Sequence, residues 1–494
     1  MLSLTQKFSQ KVYQTFETEA KRLIWNPLHT TSDGDAPHKF DAEPTTPGTH
    51  NPNISKFESV PPIDRLPVEV LGEIFSWYLY EPAGYLFLYA EAASVKATMW
   101  SKFDPILLGH ICMSWRVISL SMPMLWSSIA VFKPTSSQIP LIQVWLDRAT
   151  HCSLSLTILQ SKKPNLAEQK ATDEVLLLFQ TRAHLWRRLD IQIHQRRPNK
   201  PLQNLPATPM LESVQMRVNG WKQTVVDQVW RNIHLLPSLR RVGWCDVYME
   251  KGMPAHAPWG QLTHINTVQG VFKALCVEEF LNALQQCQEL VSFETSIIMP
   301  RDSPSRPLPD ITLPKLRILK FAIRGGPTPS ALFQHLTLPS LVSLAVHQSN
   351  WPPTHRLCWI KDLMRHSRCR LAMFFLWDPL LNEDELIDFL SSPEAQHLNR
   401  LDLLLQGLLT ARTIKCLTYV EAEATNLLPD LEVLVLRDYC ASDAELFEMI
   451  TSRLPALKKV QLPAPNSCIP SRCSLSFEKL FLTVRCDFRL EWLH

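Results

Sequence analysis

The chain has 494 residues, with 50 Lys and Arg against 47 Asp and Glu, a net charge of +3. That balance excludes the strong basic footprint expected of a nucleic-acid binder. Glycine is scarce, at 13 residues against the ~7% of an average protein, and neither G-x-G-x-x-G nor G-x-x-x-x-G-K-[ST] occurs, which argues against folds built on phosphate loops. Apolar residues make up 46% and charged residues 20%, a globular composition with room for two or three domains or one extended array.

Residues 1–28 form the first predicted element. Leu4–Trp25 reads as one amphipathic helix with Phe8, Val12, Phe16 and Leu23 near one side. It can pair with a partner, fold back on the body, or stand as a surface helix; Glu17 and Glu19 count against a targeting peptide. Residues 29–60 are rich in Thr, Pro, Asp, Asn and Ser, and read as a flexible linker.

Residues 61–128 hold two amphipathic segments separated by an insert at 80–105. In the first, Asp64 can cap a helix with Pro67 in its opening turn, where a missing N–H costs nothing. Leu66, Val70, Leu71, Ile74, Phe75 and Tyr78 recur on one broad face, with Glu69 near the N-terminus suiting the helix dipole. In the second, Leu107, Leu108, Ile111, Cys112, Trp115 and Ile118 share a face, followed by Pro123 and Leu125-Trp126. Two short helices cannot bury both faces against each other, so a partner or a following domain must cover the rest.

The ordered set Leu66-Pro67-x-Glu69-x-Leu71-x-x-Ile74-Phe75, Cys112-x-x-Trp115-Arg116 and Pro123-x-Leu125-Trp126 resembles an F-box, in the form common among fungal F-box proteins. The long insert departs from the minimal pattern. The resemblance implies docking onto the Skp adaptor, and through it onto a cullin scaffold and a RING subunit that recruits a ubiquitin-charged carrier enzyme. The residues it points to are Leu66, Pro67, Val70, Leu71, Ile74 and Phe75, with Cys112, Trp115 and Arg116, some of them belonging to the module's own core. Trp126 is expected to pack the module onto the first repeat of the region behind it.

Residues 129–494 are repetitive. The pattern apolar-x-x-apolar-x-apolar is clearest at Leu239/Val242/Trp244, Leu316/Leu319/Phe321, Leu341/Leu344/Val346, Leu431/Leu434/Leu436 and Leu457/Val460/Leu462. Weaker copies begin at Trp126, Leu154, Trp186, Leu211, Leu262, Leu290, Leu371, Leu398 and Phe477. Most intervals fall at ~23–30 residues, close to the leucine-rich-repeat period. The last two apolar sites of each copy lie two residues apart, so in a strand both point inward. Helical patterns lie between the copies, at Val225–Leu236, Val277–Leu284, Leu357–Met364, Asp384–Leu390 and Asp443–Leu454.

The region resembles a divergent leucine-rich-repeat array, lacking the Asn or Cys ladder except near Leu436-x-x-Tyr439-Cys440. The expected fold is α/β: a short helical F-box module, then a curved leucine-rich-repeat-like solenoid with a parallel sheet on its concave face. The target site is expected on that face, at positions such as Lys320, Ala345, Val435 and Gln461, with Trp259, Trp351 and Trp377 as candidate aromatic anchors.

The remaining features point away from chemistry. Twelve cysteines show no C-x-x-C pair, and no secretory signal pattern precedes them, so they are expected to stay reduced inside the cell, in cytoplasm or nucleus. The pairs Cys468/Cys473 and His366/Cys369 lack a matching second pair and are read as ordinary side chains, so no metal or cofactor is expected. No apolar run reaches the ~18 residues of a membrane span; the nearest, Phe75–Val95, is broken by Glu81, Pro82 and Glu91. Together the resemblances imply a non-catalytic substrate receptor of a ubiquitin ligase, with a protein target. Two alternatives are a repeat scaffold independent of ubiquitination and a hydrolase or transferase with a divergent site, although no G-x-S-x-G or H-E-x-x-H occurs.

Overall fold

A computed structural model describes residues 62–80, 94–96, 105–244, 253–267, 275–298, 308–324, 330–349, 357–405, 409–420, 426–454, 456–463 and 489–493. The N-terminal helix and linker expected at 1–60, nearly all of the insert, Trp351, Cys468, Cys473 and the copy at Phe477 lie outside them. The chain divides into two units, one holding Val95–Ala130 and Ile142–Cys152 with the residues before Glu91, the other holding Val131–Leu141 and Ser153 onward.

The first unit is helical. A 3-10 turn at Pro62–Arg65 leads into α1 (Val68–Tyr80), followed by α2 (Pro105–Ile111), α3 (Met113–Ser121) and a 3-10 turn at Pro123–Trp126. The expected start of α1 shifts slightly. Asp64 falls in the 3-10 turn, and the Pro67 carbonyl accepts the first helical bond from Leu71 N at 3.1 Å, so Pro67 stands at the cap rather than inside the first turn.

The second unit is α/β, built on a large open sheet whose strands pair in parallel wherever register is defined. The apolar pattern explains the register. Leu189, Val214, Val242, Ile265, Phe293, Leu319, Leu344, Phe374, Leu401, Leu434 and Val460 stand opposite one another in a single row across the sheet. All are buried, with 4% exposure at most. These are the second apolar sites of the repeated motif, so each copy contributes one rung. The leading leucines Leu239, Leu316, Leu341, Leu431 and Leu457 are equally buried and hold the turn into each strand.

A backbone device repeats with them. Where a strand begins, one carbonyl of the preceding copy accepts two successive N–H groups. Arg317 O binds Val342 N and Ser343 N, Val342 O binds Ala372 N and Met373 N, and Glu432 O binds Lys458 N and Lys459 N. Parallel strands need a crossover between them. The helices Gln223–His234, Val277–Gln286, Cys358–Ser367, Glu383–Leu390 and Asp443–Ser452 provide it, within one or two residues of the sequence patterns at most of their ends.

The row two residues further along carries Phe321, Val346, Leu376, Leu403 and Leu436. Toward the preceding copies it changes character: Thr295 faces Phe321, and Thr267 donates to the Thr295 hydroxyl at 2.6 Å. Two small hydroxyls meet there in an otherwise apolar core.

Candidate docking module and open sheet face

The helices α1, α2 and α3 each bury some apolar side chains and expose others. On α1 the spacing i, i+4, i+8 buries Leu71, Phe75 and Leu79. On the other side Val70 is 38% exposed and Trp77 61%, with half-buried Ile74 between them. On α3, Trp115 and Ile118 are buried, whereas Met113, Val117 and Leu120 at i, i+4, i+7 are 70%, 60% and 43% exposed. On α2, Leu108 is buried while Leu107 and Ile111 face out. A soluble surface scatters single apolar side chains, whereas these recur at helical spacing on three successive helices.

The inner stripes close around aromatic contacts. Phe75 packs on Trp115 with ring centroids 4.8 Å apart. Trp126 donates its indole N–H to Ser119 O at 2.9 Å and meets Trp145 edge-on at 5.3 Å, with the Arg148 guanidinium 4.3 Å above its ring. Trp126 is therefore held by Ser119, Trp145 and Arg148, all within the first unit. A Cβ on Gly72 would lie 2.7 Å from Met122 Cε, so the flexible end of that side chain fills the space beside the glycine.

The residues singled out by sequence sort into three groups. Leu71, Phe75 and Trp115 are the members that belong to the module's own core, with 3%, 0% and 3% exposure. Cys112 and Arg116 are exposed but have local roles. Cys112, in extended conformation, ends α2 and starts α3 by accepting Trp115 N at 3.4 Å on its sulfur. Arg116 donates from Nε to Gly109 O at 2.8 Å, tying the C-terminal turn of α2 to α3. Leu66, Pro67, Val70 and Ile74 remain at least partly accessible. Val68, Trp77, Met113, Val117, Leu120 and Met124, which the apolar faces read from sequence leave out, are exposed, as are Leu107 and Ile111 from the second of those faces. Their signal was present as a second helical stripe offset from the first.

The second unit offers the open face of its sheet, at positions alternating with the buried rows. Lys320 lies there 3.8 Å from Glu294, and Ala345 and Gln461 are half-buried. Val435 departs from expectation because it is fully buried. Next to it in register stands Asp402, itself 5% exposed, which accepts Arg437 Nε at 3.0 Å and Nη2 at 3.1 Å. The same guanidinium lies 5.6 Å from the Phe375 ring centroid. Trp377 stacks on His347 at 3.6 Å. Trp259, by contrast, is buried edge-on to Trp244 at 5.5 Å and serves as core.

At the other end of the face Asp190 is buried, and desolvation raises its carboxyl above the ordinary range against the opposing pull of Arg217 and Arg188. Among the described residues no three His, Cys, Asp or Glu side chains gather as a metal site, and no helix is long and apolar enough to cross a membrane. His366 binds main chain instead, through Asp362 O and Leu336 O.

No protein-family model matches the chain, and no curated protein is similar to it in sequence.

Proposed function

We propose that the chain is the substrate-recognition subunit of a Skp–cullin–F-box ubiquitin ligase, its helical module an F-box and its sheet unit a leucine-rich-repeat-like solenoid. The observation that carries the reading is the outer apolar stripe on α1, α2 and α3, within the segments whose ordered motifs resemble an F-box. An adaptor covering those side chains gains about 1.5–3 kcal/mol for each one fully buried. Val70, Ile74 and Trp77, with Met113, Val117 and Leu120, make the contact. Leu71, Phe75 and Trp115 shape the module from within.

The repeated rungs support the other half of the reading. Copies that bury one another along a row leave one sheet face open over many strands, which suits an extended recognition surface. The chain's part in catalysis is then proximity: holding a target near the charged carrier raises the effective concentration of the reacting groups. Affinity purification of the full chain from cells with the proteasome blocked tests the whole reading. The expected result is the Skp adaptor together with ubiquitin-modified protein. Recovery of proteins without any adaptor would replace the reading with a scaffold independent of ubiquitination.

A further inference from the structure

Resting on the receptor reading, we propose that the open face of the sheet takes an extended acidic protein segment carrying an apolar anchor, seated across the strands between Arg241 and Arg400. Two acidic side chains on this face are matched by cations, Glu294 by Lys320 and Asp402 by Arg437, and burial disfavours the charge of a third, Asp190; Glu491 stands on the last strand, opposite Gln461. The row at the start of the strands adds Arg188, Arg241, Arg400 and Lys459 with no acidic residue among its described members. Neither Arg241 nor Arg400 stands in an ion pair with a described residue, and the neighbour of Arg241 on the next strand is His264, whose protonation burial and the guanidinium both oppose. Among the described residues the face therefore carries more basic than acidic side chains, with Arg241 and Arg400 the cations on which a partner can draw, although the chain as a whole is nearly balanced at +3.

The anchor position is equally local. Met373, Phe375 and Trp377 follow one another on the open side of a single strand, with Met373 36% exposed. His347 on one neighbouring strand stacks on Trp377, and Arg437 reaches over Phe375 while held by Asp402. The rings are fixed before any partner arrives, so little side-chain entropy is lost on binding. Arg400 stands directly opposite Met373 in register, which places a cation beside the apolar platform. At ~4.8 Å per strand, Arg241 and Arg400 lie roughly 25–30 Å apart. An extended segment of about 8–9 residues spans that distance. Its apolar residue falls near the Arg400 end, and acidic residues fall on both sides.

The test uses the full chain and fluorescein-labelled synthetic peptides of about 16 residues, followed by anisotropy. One peptide has acidic flanks around Leu-Phe, a second has Lys in place of every acidic residue, and a third has Ser-Ser in place of Leu-Phe. The acidic peptide is expected to bind with affinity that falls as salt rises. The Lys and Ser-Ser peptides, and the Arg241→Glu/Arg400→Glu double variant with the acidic peptide, are expected to lose about tenfold or more. Met373→Glu is expected to weaken the acidic peptide selectively over the Ser-Ser one. Circular dichroism melts confirm that the variants fold.

The proposal is overturned if the acidic peptide fails to bind, if the Lys peptide binds as well, or if the folded double variant binds like the parent. Arg241→Glu/Arg400→Glu leaves adaptor capture unchanged and Val117→Glu leaves peptide binding unchanged. Failure here is thereby distinguished from failure of the adaptor reading.

Discussion

Phe75 and Trp115, 40 positions apart in sequence and on opposite sides of the insert, pack with their ring centroids 4.8 Å apart and their planes inclined by 54°. The contact joins the helices on either side of the insert, so the insert interrupts the sequence of the helical unit without separating these two core rings. Phe75→Ala removes a fully buried ring and is expected to cost about 3–5 kcal/mol in the first unit. Val117→Glu, on an exposed position, is expected to change stability by no more than about 0.5 kcal/mol. Urea titrations of the two variants separate core from surface. Equal losses would mean that the outer stripe also holds the fold together.

Arg453 is 3% exposed and donates to three main-chain carbonyls, Leu417 O, Leu427 O and Leu428 O. Burial lowers its pKa to about 10, still far above neutrality, so the guanidinium stays charged. Arg453→Met leaves those carbonyls without their donor and is expected to cost about 3 kcal/mol. Arg453→Lys recovers only part, because an ammonium lacks the planar fork. Hydrogen exchange should quicken around 426–431 in both variants. Unchanged protection there would rule out this fastening role.

Gln348 is fully buried, and neither its Oε1 nor its Nε2 has a hydrogen-bond partner. A buried amide in that state works against stability. Gln348→Met, close in length and apolar, is expected to raise the unfolding free energy by about 1–2 kcal/mol. A denaturation midpoint that falls instead would show that the amide is needed for packing or hydration.

His234 accepts the Trp244 indole N–H on Nε2 at 3.3 Å and sits among Trp230, Trp244 and His256. Burial, aided by repulsion from His256, lowers its pKa to about 3 from an ordinary 6.5. The folded state thus holds the neutral ring while the unfolded chain takes up a proton. The associated stability is complete above pH 6.5 and is lost as pH falls toward 3. His234→Gln removes the titration and keeps an acceptor. Between pH 7.5 and 5 the stability difference between parent and variant is expected to shrink by about 2 kcal/mol. A difference that stays constant would assign the acid sensitivity to other groups.

The sequence and the structure agree most where a residue pattern has a single geometric solution. Leu341/Leu344/Val346 reads as a strand with two inward sites, and it lies at Ser343–Ser349 with all three buried. Alternation and a leading leucine are enough to determine that. The polar groups that finish the strands were less legible. The Asn or Cys ladder is missing from the sequence, but Gln160 Oε1 accepts His194 N at 2.8 Å and Asp438 Oδ1 accepts Leu405 N at 3.3 Å. Side chains of other types thus bond the backbone of neighbouring copies, and no fixed letter marks them.

On α1, the sequence merged Val70 and Leu71 into one apolar face although they are 38% and 3% exposed. Adjacent residues on a helix lie ~100° apart, and only the positions of α3 and the Met122–Met124 turn decide which stripe turns inward. Val435 shows the same limit on the sheet. Alternation puts it on the open face, yet it is fully buried there, beside the Asp402–Arg437 pair.

The most direct measurement is calorimetric titration of the purified full chain with purified Skp adaptor, alongside Met113→Glu/Val117→Glu and Trp77→Ala. The account predicts saturable one-to-one binding by the parent chain, loss of about a hundredfold or more in the double variant, and a smaller loss for Trp77→Ala, all with unchanged melting curves. No binding by the folded parent chain, or equal binding by parent and double variant, would contradict it.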